Sequence, residues 1–90
     1  MKIRSDYSKL ATRFAEDMSQ QRGWRFAVVP LQACGSELRR SLVVTRPDGR
    51  STTDSRFIMG EISSWLQDFR VEATTPTVVN VMNELATKHQ

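Results

Sequence analysis

Gly23-Trp24-Arg25-Phe26-Ala27-Val28-Val29-Pro30 is the stretch where the hydrophobic pattern of this chain changes from helical to alternating. Trp24, Phe26 and Val28 alternate with Arg25, Ala27 and Val29, the pattern of a strand with one buried face. The aromatic face is expected inward and Arg25 outward. Pro30 has no amide hydrogen to give a ladder, so the strand ends near it or lies on an edge. Before Gly23 the spacing is that of a helix. Tyr7, Leu10, Ala11, Phe14, Ala15 and Met18 form one apolar stripe. This predicts a helix from Ser5 to Arg22. Ser5 is the expected cap, Asp6 sits near the positive end of the dipole, and Gly23 is the left-handed stop.

Beyond Pro30, residues Gln32 to Ser36 read as a loop holding Cys34 and Gly35. A second strand is expected from Leu38 to Thr45, with Leu38, Arg40, Leu42 and Val44 on one face. Arg39, Ser41, Val43 and Thr45 take the other. Arg40 interrupts the apolar face and either snorkels at the sheet end or marks a bulge. Arg46-Pro47-Asp48-Gly49-Arg50 is a turn: proline presets the first central position, aspartate suits the second, and glycine takes the left-handed position after them. A short third strand, Arg50 to Thr53, completes a hairpin. Asp54 or Ser55 then caps a helix whose stripe is Ile58, Ile62, Trp65, Leu66 and Phe69. Gly60 weakens its start, and a third strand running to Met59 is the alternative. Thr75 as cap and Pro76 at the first helical position open a last helix, with Val78, Val81, Met82 and Leu85 inward. The order is α-β-β-β-α-α. It is an α+β fold in one small domain spanning residues 1 to 90, a three-stranded antiparallel sheet with helices on one face.

Composition narrows the function. The chain has 90 residues, 39% hydrophobic and 26% charged, and carries a net charge of +3. Its apolar runs fall far short of the roughly 18 residues that span a bilayer, so no membrane role is expected. Met1-Lys2-Ile3-Arg4-Ser5-Asp6 lacks the apolar stretch of a secretory signal. The one cysteine cannot form an internal disulfide. These features suggest a cytoplasmic setting. Cys34 and His89 have no partners at metal-ligand spacing, and His89 reads as a solvated tail residue. The acids decorate helix faces, and the glycines at 23, 35, 49 and 60 stand too far apart for a phosphate loop. The expectation is therefore no enzyme and no cofactor.

Arginine is what remains. Between Arg22 and Arg56 lie seven arginines against three acids. Arg22 belongs to a helix end, Arg40 to the core edge, and Arg56 to either strand or helix. Arg25 and Arg39 share the solvent face of the sheet, while Arg46 and Arg50 flank the hairpin tip. Arginine forks suit carboxylates, phosphates and aromatic faces. These four are the candidate partner-binding residues. The simpler alternative is a solvated face whose edge charges discourage aggregation.

Phe26-Ala27-Val28, Gly35-Ser36, Asp48-Gly49-Arg50-Ser51, Ser64-Trp65-Leu66 and Asn80-Val81-Met82-Asn83-Glu84-Leu85 follow one another in an order that resembles small phage-encoded anti-CRISPR proteins inhibiting type I-F surveillance complexes. The resemblance spans roughly residues 24 to 87. It implies a non-enzymatic phage or prophage protein that blocks a host protein or ribonucleoprotein complex by surface docking. The known inhibitor begins with a strand, whereas this chain begins with a helical pattern, so no docking residue carries over. A nucleic-acid-binding accessory protein is the alternative function, and a dimer is left open.

Overall fold

The computed structural model describes residues 3–30 and 40–89. Within them the order is α1 (Ile3–Arg22), β1 (Arg25–Pro30), β2 (Arg40–Thr45), β3 (Ser51–Thr52), α2 (Ser55–Asp68) and α3 (Thr75–Lys88). The α-β-β-β-α-α order expected from the sequence is the order found. The Gln32–Ser36 loop, Leu38 and Arg39 lie outside the described residues.

The three strands form one antiparallel sheet, ordered β1-β2-β3. Phe26 stands opposite Val44, which stands opposite Thr52; Val28 stands opposite Leu42. These residues face the core, where Val44 is fully buried. Side chains alternate across a strand, so Arg25, Ala27, Val29, Ser41, Val43, Thr45 and Ser51 face outward. The hairpin turn is built as its residues dictate. The Gly49 amide donates to the Arg46 carbonyl at 2.9 Å, and the Arg46 amide donates to the Arg50 carbonyl at 2.8 Å. Asp48 Oδ1 accepts from the Arg50 amide at 2.9 Å. Gly49 takes φ +88°, the left-handed position after a type I turn. The third strand is two residues long, shorter than the predicted Arg50 to Thr53. Thr53 and Asp54 already turn the chain into α2, with Thr52 Oγ1 accepting from the Asp54 amide at 3.1 Å.

Phe14 on α1 is the middle of the core and fully buried. Its ring lies 5.9 Å from Phe26 on β1 and 5.4 Å from Trp65 on α2. Helices α1 and α2 run alongside each other in opposite directions. The seam starts with Arg22 against Glu61 at 2.9 Å. Asp17 accepting from Trp65 Nε1 at 2.9 Å continues it. It ends with the Arg13 guanidinium 4.8 Å from the Phe69 ring centroid. Steps of about one helical turn on each helix keep these pairs on one line. Helix α3 packs on α1 and β2 and buries Val78, Val81 and Leu85.

Two helix starts differ from the sequence expectations, and a third decides between the two caps expected. Helix α1 begins at Ile3, so Ser5 lies inside the first turn rather than capping it. Asp54, rather than Ser55, caps α2: its carboxylate accepts from the Arg56 amide at 3.0 Å. Thr74, one residue before the expected Thr75, caps α3. It is extended, with ψ 157°, and its hydroxyl accepts from the Thr77 amide at 3.3 Å. Pro76 then falls at the second helical position, where an amide would also lack a helical acceptor. Helix α2 closes without glycine. Arg70 takes φ +59°, and the Arg70 and Val71 amides bond back to the Gln67 and Leu66 carbonyls at 2.9 and 3.0 Å. This is a Schellman cap with arginine in the left-handed seat.

Gly23 carries two requirements at once. Its φ is +68°, and its amide donates to the Ser19 carbonyl at 3.1 Å, ending α1. A Cβ on it would also stand 2.8 Å from Pro47 Cγ in the hairpin turn. Gly23→Ala is expected to cost about 1–2 kcal/mol for the left-handed backbone, with the proline clash on top. Gly60 in α2 is the opposite case, because a Cβ there meets nothing within 4 Å. Gly60→Ala is expected to stabilise the protein by about 0.5–1 kcal/mol through helix entropy. Urea denaturation of the two variants beside the parent protein checks both signs.

Candidate docking surface

The outer sheet face is small and flat in chemistry. It presents Ala27, Val29 and Val43, the hydroxyls of Ser41, Thr45 and Ser51, and one guanidinium, Arg25, among the described residues. Thr45 and Ser51 share a hydroxyl hydrogen bond of 3.0 Å across the hairpin. No helix covers this face among the described residues. Val29 is 40% exposed on it.

The four candidate arginines do not form one row. Arg25 is exposed on the outer face, as expected. Arg50 is exposed at the hairpin, with its Nε 3.8 Å from Asp48 and its side chain 82% accessible. Arg46 has turned inward. Its guanidinium lies 4.9 Å from the Phe57 ring centroid, so it covers an aromatic of α2. Arg39 lies outside the described residues. The structure thus brings Arg50 to the hairpin end and Arg25 to the same sheet's open face, and removes Arg46 from that surface.

The inward turn of Arg46 belongs to a wider pattern. Arg13 stacks on Phe69, Arg22 lies 5.4 Å from the Trp24 ring centroid, and Arg46 stacks on Phe57. Between them the rings touch in series. Phe69 meets Trp65 at 5.0 Å, Phe26 meets Trp24 at 6.3 Å, and Trp24 meets Phe57 at 5.8 Å; Phe14 links the two halves. A planar guanidinium shields a ring face while keeping its charge in water. These three arginines therefore act as lids over the aromatic core. Nothing in the local sequence marks Arg13 for Phe69, which is 56 positions away in the numbering of the chain.

Sequence reasoning also missed a groove. Ala15, Glu16, Ser19 and Gln20 of α1 form one wall, and Trp24, Arg25 and Phe26 form the other. His89 also lines it. The groove holds about 510 Å³ and opens broadly to solvent. His89 is not the solvated residue expected from its place near the C-terminus. It is half-buried, its ring lies 5.6 Å from Phe26, and Nδ1 is 2.8 Å from the Leu85 carbonyl. A carbonyl only accepts, so this contact puts the proton on Nδ1 and leaves Nε2 for another partner. Among the described residues no three of His, Cys, Asp and Glu come together as metal ligands, and no helix is long and apolar enough to cross a membrane.

Comparison of the chain with protein-family models, curated proteins and solved structures returned no match.

The Asp17–Trp65 bond ties the seam beneath this scaffold. Asp17→Ala leaves the indole N–H with no protein acceptor and is expected to cost about 1–2 kcal/mol. Asp17→Asn keeps a carbonyl oxygen and should cost less. Thermal or urea unfolding, followed by tryptophan fluorescence, ranks the two.

Proposed function

We propose that this chain is a non-enzymatic, phage- or prophage-type binding protein. It docks on a host protein or ribonucleoprotein complex in the bacterial cytoplasm and blocks it by occlusion, in the manner of the anti-CRISPR proteins its sequence resembles. The observation that supports this reading is the uncovered outer sheet face, carried on a scaffold whose other sheet face is packed. Arg25 at one strand and Arg50 at the hairpin frame a surface of small apolar and hydroxyl groups. Such a surface suits a protein with acidic side chains at matching positions.

The outer face is less suited to nucleic acid. A phosphate track needs several cations along one line, and the described strands offer one on that face. Stacking of bases needs exposed rings on the sheet, and Trp24 and Phe26 are turned into the core.

The test is affinity capture from bacterial lysate with mass spectrometry, repeated with Arg25→Glu plus Arg50→Glu. Arg46 is left intact because reversing it would expose Phe57. The expected outcome is a specific captured complex that the double reversal releases, with unfolding unchanged. Capture of the same complex by both proteins would rule out this surface. Capture of nucleic acid alone, weakening steeply with salt, would favour the accessory nucleic-acid reading.

A further inference from the structure

Hydrogen bonding in the hairpin fixes which backbone groups of β1 are left over. The Arg46 amide points across to β3, since it donates to the Arg50 carbonyl at 2.8 Å. Backbone groups alternate in direction along a strand, so those of Thr45 point the other way, to β1. Thr45 is opposite Arg25, Val43 opposite Ala27, and Ser41 opposite Val29. Arg25, Ala27 and Val29 therefore spend their amides and carbonyls on β2. Phe26 and Val28 direct theirs to the far side of β1, where no strand pairs among the described residues. Pro30 shares that direction, so its missing N–H removes nothing from the β1–β2 ladder.

Edges of this kind are normally guarded by charge, proline or a bulge. Here Arg25 and Pro30 guard the two ends, and Phe-Ala-Val-Val between them carries no charge. The groove between α1 and the start of β1 runs beside Phe26. Its lining includes Glu16, Ser19 and His89.

We infer that β1 receives a strand from the partner, an extended peptide added antiparallel to the Phe26–Val28 edge. Open N–H and C=O groups in strand spacing match another strand and not a helix. The side chain opposite Arg25 is acidic, because Arg25 is exposed and no described carboxylate pairs with it. The side chains opposite Ala27 and Val29 are apolar and extend the outer face. The one opposite Phe26 is a small hydroxyl residue that points to the groove. From N- to C-terminus the recognised segment reads apolar, any, apolar, small hydroxyl, acidic. The inference rests on the reading of the chain as a protein-binding module, and it goes beyond the outer face to the strand edge.

The test uses the full chain and a capped peptide, Gly-Val-Thr-Val-Thr-Glu-Gly, with a Lys-for-Glu peptide as its control. Binding is followed by backbone NMR shifts and by amide exchange. In the free protein the Phe26 and Val28 amides should exchange faster than those of Arg25, Ala27 and Val29. Saturating peptide should slow Phe26 and Val28 by about tenfold or more, and the Lys peptide should bind several-fold more weakly. Val28→Pro, which removes an edge amide and no β1–β2 bond, should abolish peptide binding. The amide-exchange readout on the parent protein stands even where that variant folds poorly. Absence of binding at about 1 mM peptide overturns the inference. So does unchanged exchange at Phe26 and Val28, or their protection in the free protein by a second copy, seen as a dimer in sedimentation equilibrium. A partner released by the Arg25/Arg50 reversal while no peptide binds would sink the strand-addition idea and leave the docking face standing.

Discussion

Everything in this molecule converges on Phe14. A helix and a three-stranded sheet each present one apolar face, and neither can hide that face alone. Phe14 is the residue at which α1 meets both β1, through Phe26, and α2, through Trp65. Its full burial removes a large aromatic surface from water, worth roughly 1.5–3 kcal/mol by transfer alone. Tilted and edge-on ring geometry adds to that. In a chain of 90 residues the core is small, so one central contact carries a large share of it.

A small core with many rings has a covering problem. Arginines lie over the rings of Trp24, Phe57 and Phe69, and Phe69 remains 43% exposed. Arginine solves this economically in space, because its flat head lies on a ring and its charge stays in solvent. Charges that look available in the composition are partly committed to packing, and of the candidate arginines Arg25 stands on the open sheet face and Arg50 at the hairpin. Under the proposed docking function, a surface of that kind would select partners by position rather than by bulk attraction, with the strand edge beside it setting the direction.

The ends of elements show where sequence reading succeeds and where it slips. Gly23 and the Pro47-Asp48-Gly49 turn were legible because each demands a backbone conformation that few other residues accept. The α3 cap was misplaced by one residue because Thr74 and Thr75 offer the same hydroxyl, and only the reach to the Thr77 amide separates them. Arg70 in a left-handed seat had no signal at all. What holds it there is Val71, packed against the core, which pulls the chain through that turn. Of the candidate surface, Arg25 followed from strand alternation. Arg46 did not follow, since alternation gives a side and cannot tell whether a ring waits on it.

The periods are legible along the chain: a helical stripe, a change to alternation at Gly23, a turn at Pro47-Asp48-Gly49 and two further amphipathic helices. Those periods are local consequences of side-chain placement along a helix or strand, so they can be read without knowing the neighbours. The tertiary fold sets which charges face outward, which cover aromatic rings and which strand edge is left without a paired strand among the described residues. Each of these depends on residues far apart in the chain, such as Arg13 with Phe69 or Arg22 with Glu61, and no local pattern encodes such pairs.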